Sequence, residues 1–116
     1  MKFAIAQLNP TIGDLTHNAQ QVLEAARQAD RLGAQVLVTT ELVLCGYPPR
    51  DLLLRPGFIQ AMADTLEALA RDLPPHLAVL VGYAAANPKA RYSGEKPLFN
   101  STALLQGGRV QQVFHK

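Results

Sequence analysis

The sequence has little of three features that would assign it to a familiar class of protein: cysteine, clustered basic residues and long apolar runs. Its 116 residues contain one cysteine, Cys45, which excludes an internal disulfide and a structural zinc site built of cysteines. The formal net charge is +2 and the basic residues are scattered, so we expect no binding to nucleic acid. No apolar run approaches the length of a membrane span. We therefore expect a cytoplasmic protein in a reducing environment, without membrane partners.

Nucleotide-binding signatures are missing as well. No GxxxxGK[ST] loop and no GxGxxG turn follows any predicted strand. The apolar run Phe3 to Leu8 begins like a signal peptide, but Asn9 and Pro10 interrupt it too early and no small-residue cleavage site follows. We expect neither a bound metal nor a cofactor in this segment.

Apolar periodicity predicts an α/β fold of one domain, or part of one, over residues 1–116. Helices are predicted at Leu15 to Leu32 and Phe58 to Leu73, from apolar residues at helical spacing. Five strands are predicted at Phe3 to Leu8, Gln35 to Thr40, Leu77 to Ala85, Phe99 to Leu105 and Val110 to His115. The order β-α-β-α-β-β-β indicates a mixed sheet with helices layered on it. The first strand is nearly continuously apolar, which predicts burial on both faces.

Turn and cap residues divide these elements. Asp14 or Thr16 can cap the first helix, and Gly33 is suited to end it because glycine adopts the left-handed conformation without a Cβ clash. Residues 42–57 and 87–97 are predicted as loops. Gly107 and Gly108 predict a tight hairpin turn with positive φ angles. The last strand ends at Lys116 as an uncovered edge, which suggests a fragment or a truncated gene product.

Glu41 follows the second strand, where ligands tend to bind in α/β folds. A partly desolvated carboxylate there would have a raised pKa and could act as a general base near neutral pH. A solvated residue at a strand end is the alternative, and position alone favours it. The loop that follows is stiffened by prolines, so Tyr47 is either a wall of a small-molecule site or part of a packed connector.

Several segments resemble enzymes of the nitrilase superfamily. Phe3 to Pro10, with Gly13, Asp14 and Asn18, is similar to the start of these proteins, and Glu41 to Tyr47 resembles the segment that carries their catalytic glutamate. The continuation GYPPRDLLLR, ending at Arg55, is similar to the glutaminase domain of glutamine-dependent NAD synthetases. The closing Val113 to Lys116 resembles the strand that presents the catalytic lysine. The match covers essentially the whole chain.

The resemblance implies part of an α-β-β-α sandwich and a Glu-Lys-Cys amidase. Glu41 would be the general base that takes the thiol proton, Lys116 would stabilise the oxyanion, and Tyr47 would line the glutamine pocket. Cys45 is rejected as the nucleophile, because the family's nucleophile follows the lysine and free cysteine is more often a small buried residue. We therefore expect the nucleophile to be absent from this chain, and the chain alone to be inactive.

The implied function is the N-terminal part of a glutaminase domain that releases ammonia from glutamine for ATP-dependent amidation of deamido-NAD. ATP and magnesium, a C-terminal synthetase domain that is absent here and a homo-oligomeric assembly belong to that implication. Two alternatives stay open. The chain could come from a stand-alone nitrilase-type amidase, or it could be a truncated, inactive paralogue that only binds a partner.

Overall fold

The computed structural model describes residues 1–55, 57–87 and 98–116. The strands are β1 (Phe3–Ile5), β2 (Val36–Val38), β3 (Ala78–Ala86), β4 (Leu98–Gln106) and β5 (Arg109–His115). The helices are α1 (Leu15–Arg31) and α2 (Phe58–Asp72). This order of strands and helices confirms the α/β prediction. The loop predicted at 87–97 lies outside the described residues, apart from Asn87.

The five strands form one mixed sheet in the order β1-β2-β3-β4-β5. The pairings of β1 with β2 and of β2 with β3 are parallel, whereas β3 with β4 and β4 with β5 are antiparallel. The hairpin between β4 and β5 turns at Gly107 and Gly108, whose φ angles are 68° and 81°. Both positive values match the sequence prediction. A two-residue hairpin turn of this type needs positive φ angles, which glycine adopts readily.

The first helix begins and ends as its sequence predicts. The Asp14 side chain accepts a hydrogen bond from the backbone N–H of His17 at 3.1 Å, which satisfies one of the free donors of the first turn. At the other end Gly33 has a φ of 81°, and its N–H donates to the carbonyl of Asp30 at 3.0 Å. Ala34 donates to the carbonyl of Ala29 at 3.0 Å, which completes a Schellman cap.

One apolar core joins both helices to the sheet. Leu37, Val79 and Leu105 are neighbours in register across β2, β3 and β4, and all three are buried. The helices contribute Val22, Leu23 and Ala26 from α1 and Met62, Leu66 and Leu69 from α2. Alternate residues of a strand point to opposite faces, so this register places the core on one face of the sheet.

The prediction that β1 is buried on both faces is wrong. Phe3 is 66% exposed and Ile5 is 81% exposed, whereas Ala4 between them packs against the core. β1 is an edge strand, and it pairs through three residues only. A continuous apolar run cannot distinguish this arrangement from a central strand, because the pattern reports side-chain type and not what covers each face.

The segment predicted as a loop at 42–57 has local structure. Residues 42–45 form a buried turn, and Arg50–Leu54 is a short 3₁₀ helix. Leu53 packs against the core, while Leu54 is exposed. The three leucines at positions 52–54 are therefore buried only in part. Within the described residues, neither helix combines the length and apolar character that crossing a membrane requires.

Candidate active site

The backbone around Glu41 lies unusually close to the neighbouring strand. A Cβ atom built on Gly82 of β3 would be 2.5 Å from the carbonyl oxygen of Thr40 and 2.6 Å from the nitrogen of Leu42. Such distances are far inside van der Waals contact, so only glycine fits at this point of β3. Thr39 is also bonded to β3, since its N–H and its hydroxyl both donate to the Leu80 carbonyl, at 3.1 and 2.7 Å.

The turn after Glu41 begins with an uncommon backbone conformation. Leu42 has a φ of 52°, in the left-handed region that residues with a branched side chain rarely adopt. The surrounding hydrogen bonds hold it there, because Leu44 donates to the Gly82 carbonyl at 3.1 Å and Gly46 donates to the Leu42 carbonyl at 2.8 Å. Strained residues of this kind concentrate at functional sites, where the environment determines their geometry.

Asn18 connects this turn to the start of α1 and is completely buried. Its side-chain oxygen accepts from the N–H of Thr11 at 2.7 Å. Its amide nitrogen donates to the carbonyls of Thr11 and Leu44, at 2.8 and 3.0 Å. A buried amide that satisfies three backbone groups fixes their relative positions. In the sequence, only the family resemblance marks Asn18.

Glu41 and Lys116 meet at the end of the sheet. The Lys116 ammonium lies 3.3 Å from Oε1 of Glu41, and the amide of Asn100 donates a hydrogen bond to the same oxygen. The backbone N–H of Lys116 donates to the carbonyl of Asn100 at 2.9 Å. These three side chains line an open cavity of about 400 Å³. The other lining residues are Thr39, Thr40, Thr102, Phe114 and His115.

The pKa of Glu41 is lowered from its ordinary value. The hydrogen bond from Asn100 is the largest cause, followed by the hydrogen bond and the charge of Lys116, and these outweigh the small opposing effect of burial. The prediction of a raised pKa is therefore wrong. It assumed that desolvation would dominate, whereas the Glu41 side chain is 48% exposed and two donors stabilise its charged form. Glu41 is a carboxylate throughout the neutral pH range.

Cys45 lies only four residues further along but faces the core. Its side chain is fully buried, and its thiol donates a weak hydrogen bond to the Leu42 carbonyl at 3.7 Å. Burial raises the pKa of Cys45 to about 11, which leaves little thiolate at neutral pH. Cys45 is not among the residues that line the cavity of Glu41.

The structure thus brings together two of the predicted site residues and leaves one apart. Glu41 and Lys116 share the cavity, whereas Tyr47 is 66% exposed and does not line it. The binding role of Tyr47 stays a prediction. The sequence alone does not indicate a role for Asn100 or Gly82 in the site. No local pattern marks either residue, because their importance depends on which strands become neighbours in the sheet.

Within the described ranges, 1–55, 57–87 and 98–116, no three side chains of His, Cys, Asp or Glu are grouped in a way that could hold a metal ion. The chemistry of this cavity comes from a carboxylate, an ammonium and an amide. Such a set can bind a polar substrate, accept a proton and stabilise a developing negative charge.

A family model for carbon–nitrogen hydrolases matches residues 2–116, and the chain belongs to that family. A glutamine-dependent NAD(+) synthetase of Synechocystis sp. is 48% identical over 113 residues, which covers 97% of this chain and 20% of the relative. The solved glutamine-dependent NAD+ synthetase of Acinetobacter baumannii superimposes with a TM-score of 0.83 at 30% identity, over 98% of this chain and 20% of that one. The chain therefore spans about a fifth of the length of these relatives.

A shorter protein has the same fold. A nitrilase-superfamily amidase of Nesterenkonia sp. matches with a TM-score of 0.75 at 26% identity, over the whole of this chain and 42% of that one. Another structure of that amidase contains the acetamide moiety of fluoroacetamide added covalently at its active-site cysteine.

Proposed function

We propose that this chain is the N-terminal part of the glutaminase domain of a glutamine-hydrolysing NAD synthetase. The observation that carries the proposal is the pairing of Glu41 with Lys116 in an open cavity at the end of the sheet. The similarity to glutamine-dependent NAD synthetases supports the choice of glutamine as the amide substrate.

In this function Glu41 accepts the proton of a cysteine thiol, because the thiolate is the effective nucleophile. The thiolate attacks the amide carbonyl, and Lys116 stabilises the oxyanion. The C–N bond then breaks as Glu41 returns its proton to the nitrogen, so that ammonia leaves and a thioester forms. Water attacks the thioester as Glu41 takes its proton, and the C–S bond breaks to release glutamate and, with that proton, the cysteine thiol. A fixed donor to the oxyanion is worth about 3–4 kcal/mol in the activation barrier.

The nucleophile in this proposal is not Cys45, because that thiol is buried and lies outside the cavity. It belongs to a part of the protein other than residues 1–116. The covalent adduct at the active-site cysteine of the Nesterenkonia amidase supports a cysteine in this role. The 116-residue chain alone should release no ammonia from glutamine, and a Cys45→Ala variant should behave identically.

The partners follow from the same proposal. A C-terminal synthetase domain would consume the ammonia to amidate deamido-NAD, with ATP and magnesium bound in that domain. The complete protein would be a cytoplasmic homo-oligomer.

The gene sequence after the Lys116 codon is the first test. We expect a cysteine on a strand-to-helix turn, followed by an SGGxDS phosphate-binding loop. The functional test replaces Glu41 by Gln in the complete gene product. Glutamine-dependent synthesis should be lost while ammonia-dependent synthesis is retained, because only the first reaction needs the base. Equal loss of both would assign Glu41 a structural role and contradict the proposal.

A second candidate is a stand-alone amidase of the nitrilase type. The match to the Nesterenkonia amidase over the whole of this chain favours it. A gene that ends soon after the cysteine codon, with an amidase activity that needs no ATP, would support it. A stop codon directly after Lys116 would instead support a truncated paralogue that binds a partner.

A further inference from the structure

Asn100 makes two contacts that bear on the proposed base. Its side-chain amide donates to Oε1 of Glu41, across 59 positions of sequence. Its backbone carbonyl accepts from the N–H of Lys116 at 2.9 Å, where β5 ends. One residue of β4 therefore holds the carboxylate through its side chain and the lysine through its backbone.

Both donors reach the same oxygen of Glu41. Lys116 Nζ lies 3.3 Å from Oε1, and the Asn100 amide donates to Oε1 as well. Among the described residues no hydrogen bond to Oε2 is formed. Glu41 lines the cavity, and Oε2 is the oxygen to which no described residue donates, so it can accept a proton from a bound group.

We propose that Asn100 is a positioning residue that, together with Lys116, holds Oε1 of Glu41 so that Oε2 is the proton acceptor. The inference rests on the proposed function for the identity of the proton donor. An amide suits this role because it donates without carrying a charge and has no proton to lose at neutral pH. It can orient the carboxylate without competing with it as a base.

The sequence around Asn100 does not reveal this role. Asn100, Ser101 and Thr102 fit the pattern of a glycosylation acceptor, which has no meaning without secretion. In the sheet Asn100 points to the cavity, whereas Ser101 points to the other face and its hydroxyl lies 2.7 Å from Nδ1 of His115. These two adjacent residues of β4 thus each form a hydrogen bond to a side chain near the end of the sheet, but only the bond of Asn100 is to Glu41.

This difference supplies a matched pair of variants. Asn100→Leu removes the donor to Glu41 at similar volume, and Ser101→Ala removes the neighbouring hydrogen bond between β4 and β5. The experiment measures the pH dependence of kcat/KM for glutamine hydrolysis in the complete gene product, with ammonia-dependent synthesis as the check on folding. Asn100→Leu should lower kcat/KM about 10- to 100-fold, because the base is no longer held in place.

The pH profile separates positioning from structural support. Without the amide the carboxylate loses a donor to its charged form, so the acid limb of kcat/KM should move to higher pH. Asn100→Asp should move it further, because a second carboxylate would repel the first. Ser101→Ala should leave the limb where it is. An unchanged limb in Asn100→Leu, or an equal shift in Ser101→Ala, would overturn the inference.

A direct titration keeps this inference separate from the proposed function. The glutamate side-chain carboxyl carbons can be labelled with carbon-13, and the signal of Glu41 identified by its loss in Glu41→Gln. If the wild-type protein does not hydrolyse glutamine, the proposed function fails, and the titration then decides on Asn100. A higher titration midpoint for Glu41 in Asn100→Leu but not in Ser101→Ala supports the contact, and identical midpoints refute it.

Discussion

Glu41 and Cys45 belong to one turn but occupy opposite environments. The Glu41 side chain is 48% exposed, opens into the cavity and has a lowered pKa. Cys45 is fully buried, faces the core and has a pKa raised to about 11. The two groups carry the residue types of a base and a nucleophile, and only four positions separate them. Near neutral pH Glu41 is nevertheless ionised and Cys45 neutral.

The causes of the two pKa shifts differ, and this explains why spacing in the sequence misleads. Donors from β4 and the end of β5 stabilise the charge of Glu41, so its state depends on residues far away in the sequence. Desolvation dominates at Cys45, because the turn of residues 42–45 packs into the core. A cysteine four residues from a glutamate along the chain can therefore lie outside the cavity that the glutamate lines.

The largest expected effect comes from removing the charge of Lys116, which lies beside the exposed Glu41. Lys116→Met in the complete gene product should lower kcat for glutamine hydrolysis about 100- to 1,000-fold, because it removes a donor to the oxyanion. Steady-state kinetics with glutamine and with ammonia measure this. Ammonia-dependent synthesis should stay unchanged, and a parallel loss of it would contradict the assignment.

The same Lys116→Met variant has a pH signature. The folded-state pKa of Glu41 lies below its unfolded value, so folding favours the ionised carboxylate. This preference is fully present above the unfolded pKa and is lost as the pH falls through the folded pKa. Lys116 lowers this pKa by a hydrogen bond and by its charge. Its removal should therefore move the acid limb of the activity profile to higher pH. Lys116→Arg is the control that keeps the charge.

Gly82→Ala should have the next largest effect, because it disturbs the backbone that carries Glu41. The new Cβ would be 2.5 Å from the Thr40 carbonyl oxygen, so β3 and the segment of Glu41 must move apart. We expect the free energy of unfolding to fall by about 3 kcal/mol, together with a loss of glutamine hydrolysis. Urea denaturation measures the first and steady-state kinetics the second.

Val79→Ala is the matched control for Gly82→Ala. Val79 is a fully buried residue of the same strand on the face that packs against the helices, and its truncation should cost about 2 kcal/mol. It should leave glutamine hydrolysis largely intact, because the residues beside Val79 in the sheet are Leu37 and Leu105 and not the segment of Glu41. If both variants lose activity equally, the close approach at Gly82 has no special role.

Much of the fold could be predicted because the signals for it are local. The apolar stripes of α1 and α2, the cap at Asp14 and the turn at Gly107 and Gly108 all act within a few residues. The exposure of one face of β1 could not be predicted, since it depends on the helices lying on one side of the sheet. The positive φ of Leu42 is equally hidden in the sequence, because a contact with β3 helps to hold it: the Gly82 carbonyl accepts a hydrogen bond from the N–H of Leu44.

The candidate site could be predicted only where a resemblance supplied it. Position alone favours a solvated residue at a strand end for Glu41, and the similarity to a known family reverses that preference. Asn100 follows a segment that the sequence predicted as a loop, and nothing near it points to a partner 59 positions away. Contacts across a sheet depend on strand order and register, which a single sequence specifies only indirectly.

The smallest expected effect concerns Cys45, the buried residue of the pair. Its pKa rises from 9.0 to about 11, so at a pH near 8 the folded chain should contain about 100-fold less thiolate than the denatured chain. A thiol-specific reagent should therefore label Cys45 at least about 100-fold more slowly under native conditions. Burial slows the reaction further, because the reagent reaches the thiol only when the turn opens.

An exposed cysteine in the same turn region makes this measurement decisive. The double variant Thr40→Cys, Cys45→Ala places the only thiol at an exposed position beside Glu41. It should be labelled under native conditions about as fast as in denaturant, whereas the wild-type protein should not. Rapid native labelling of Cys45 would mean that the turn opens readily. The rejection of Cys45 as a nucleophile would then rest only on its absence from the cavity lining, because its protonation would no longer exclude it.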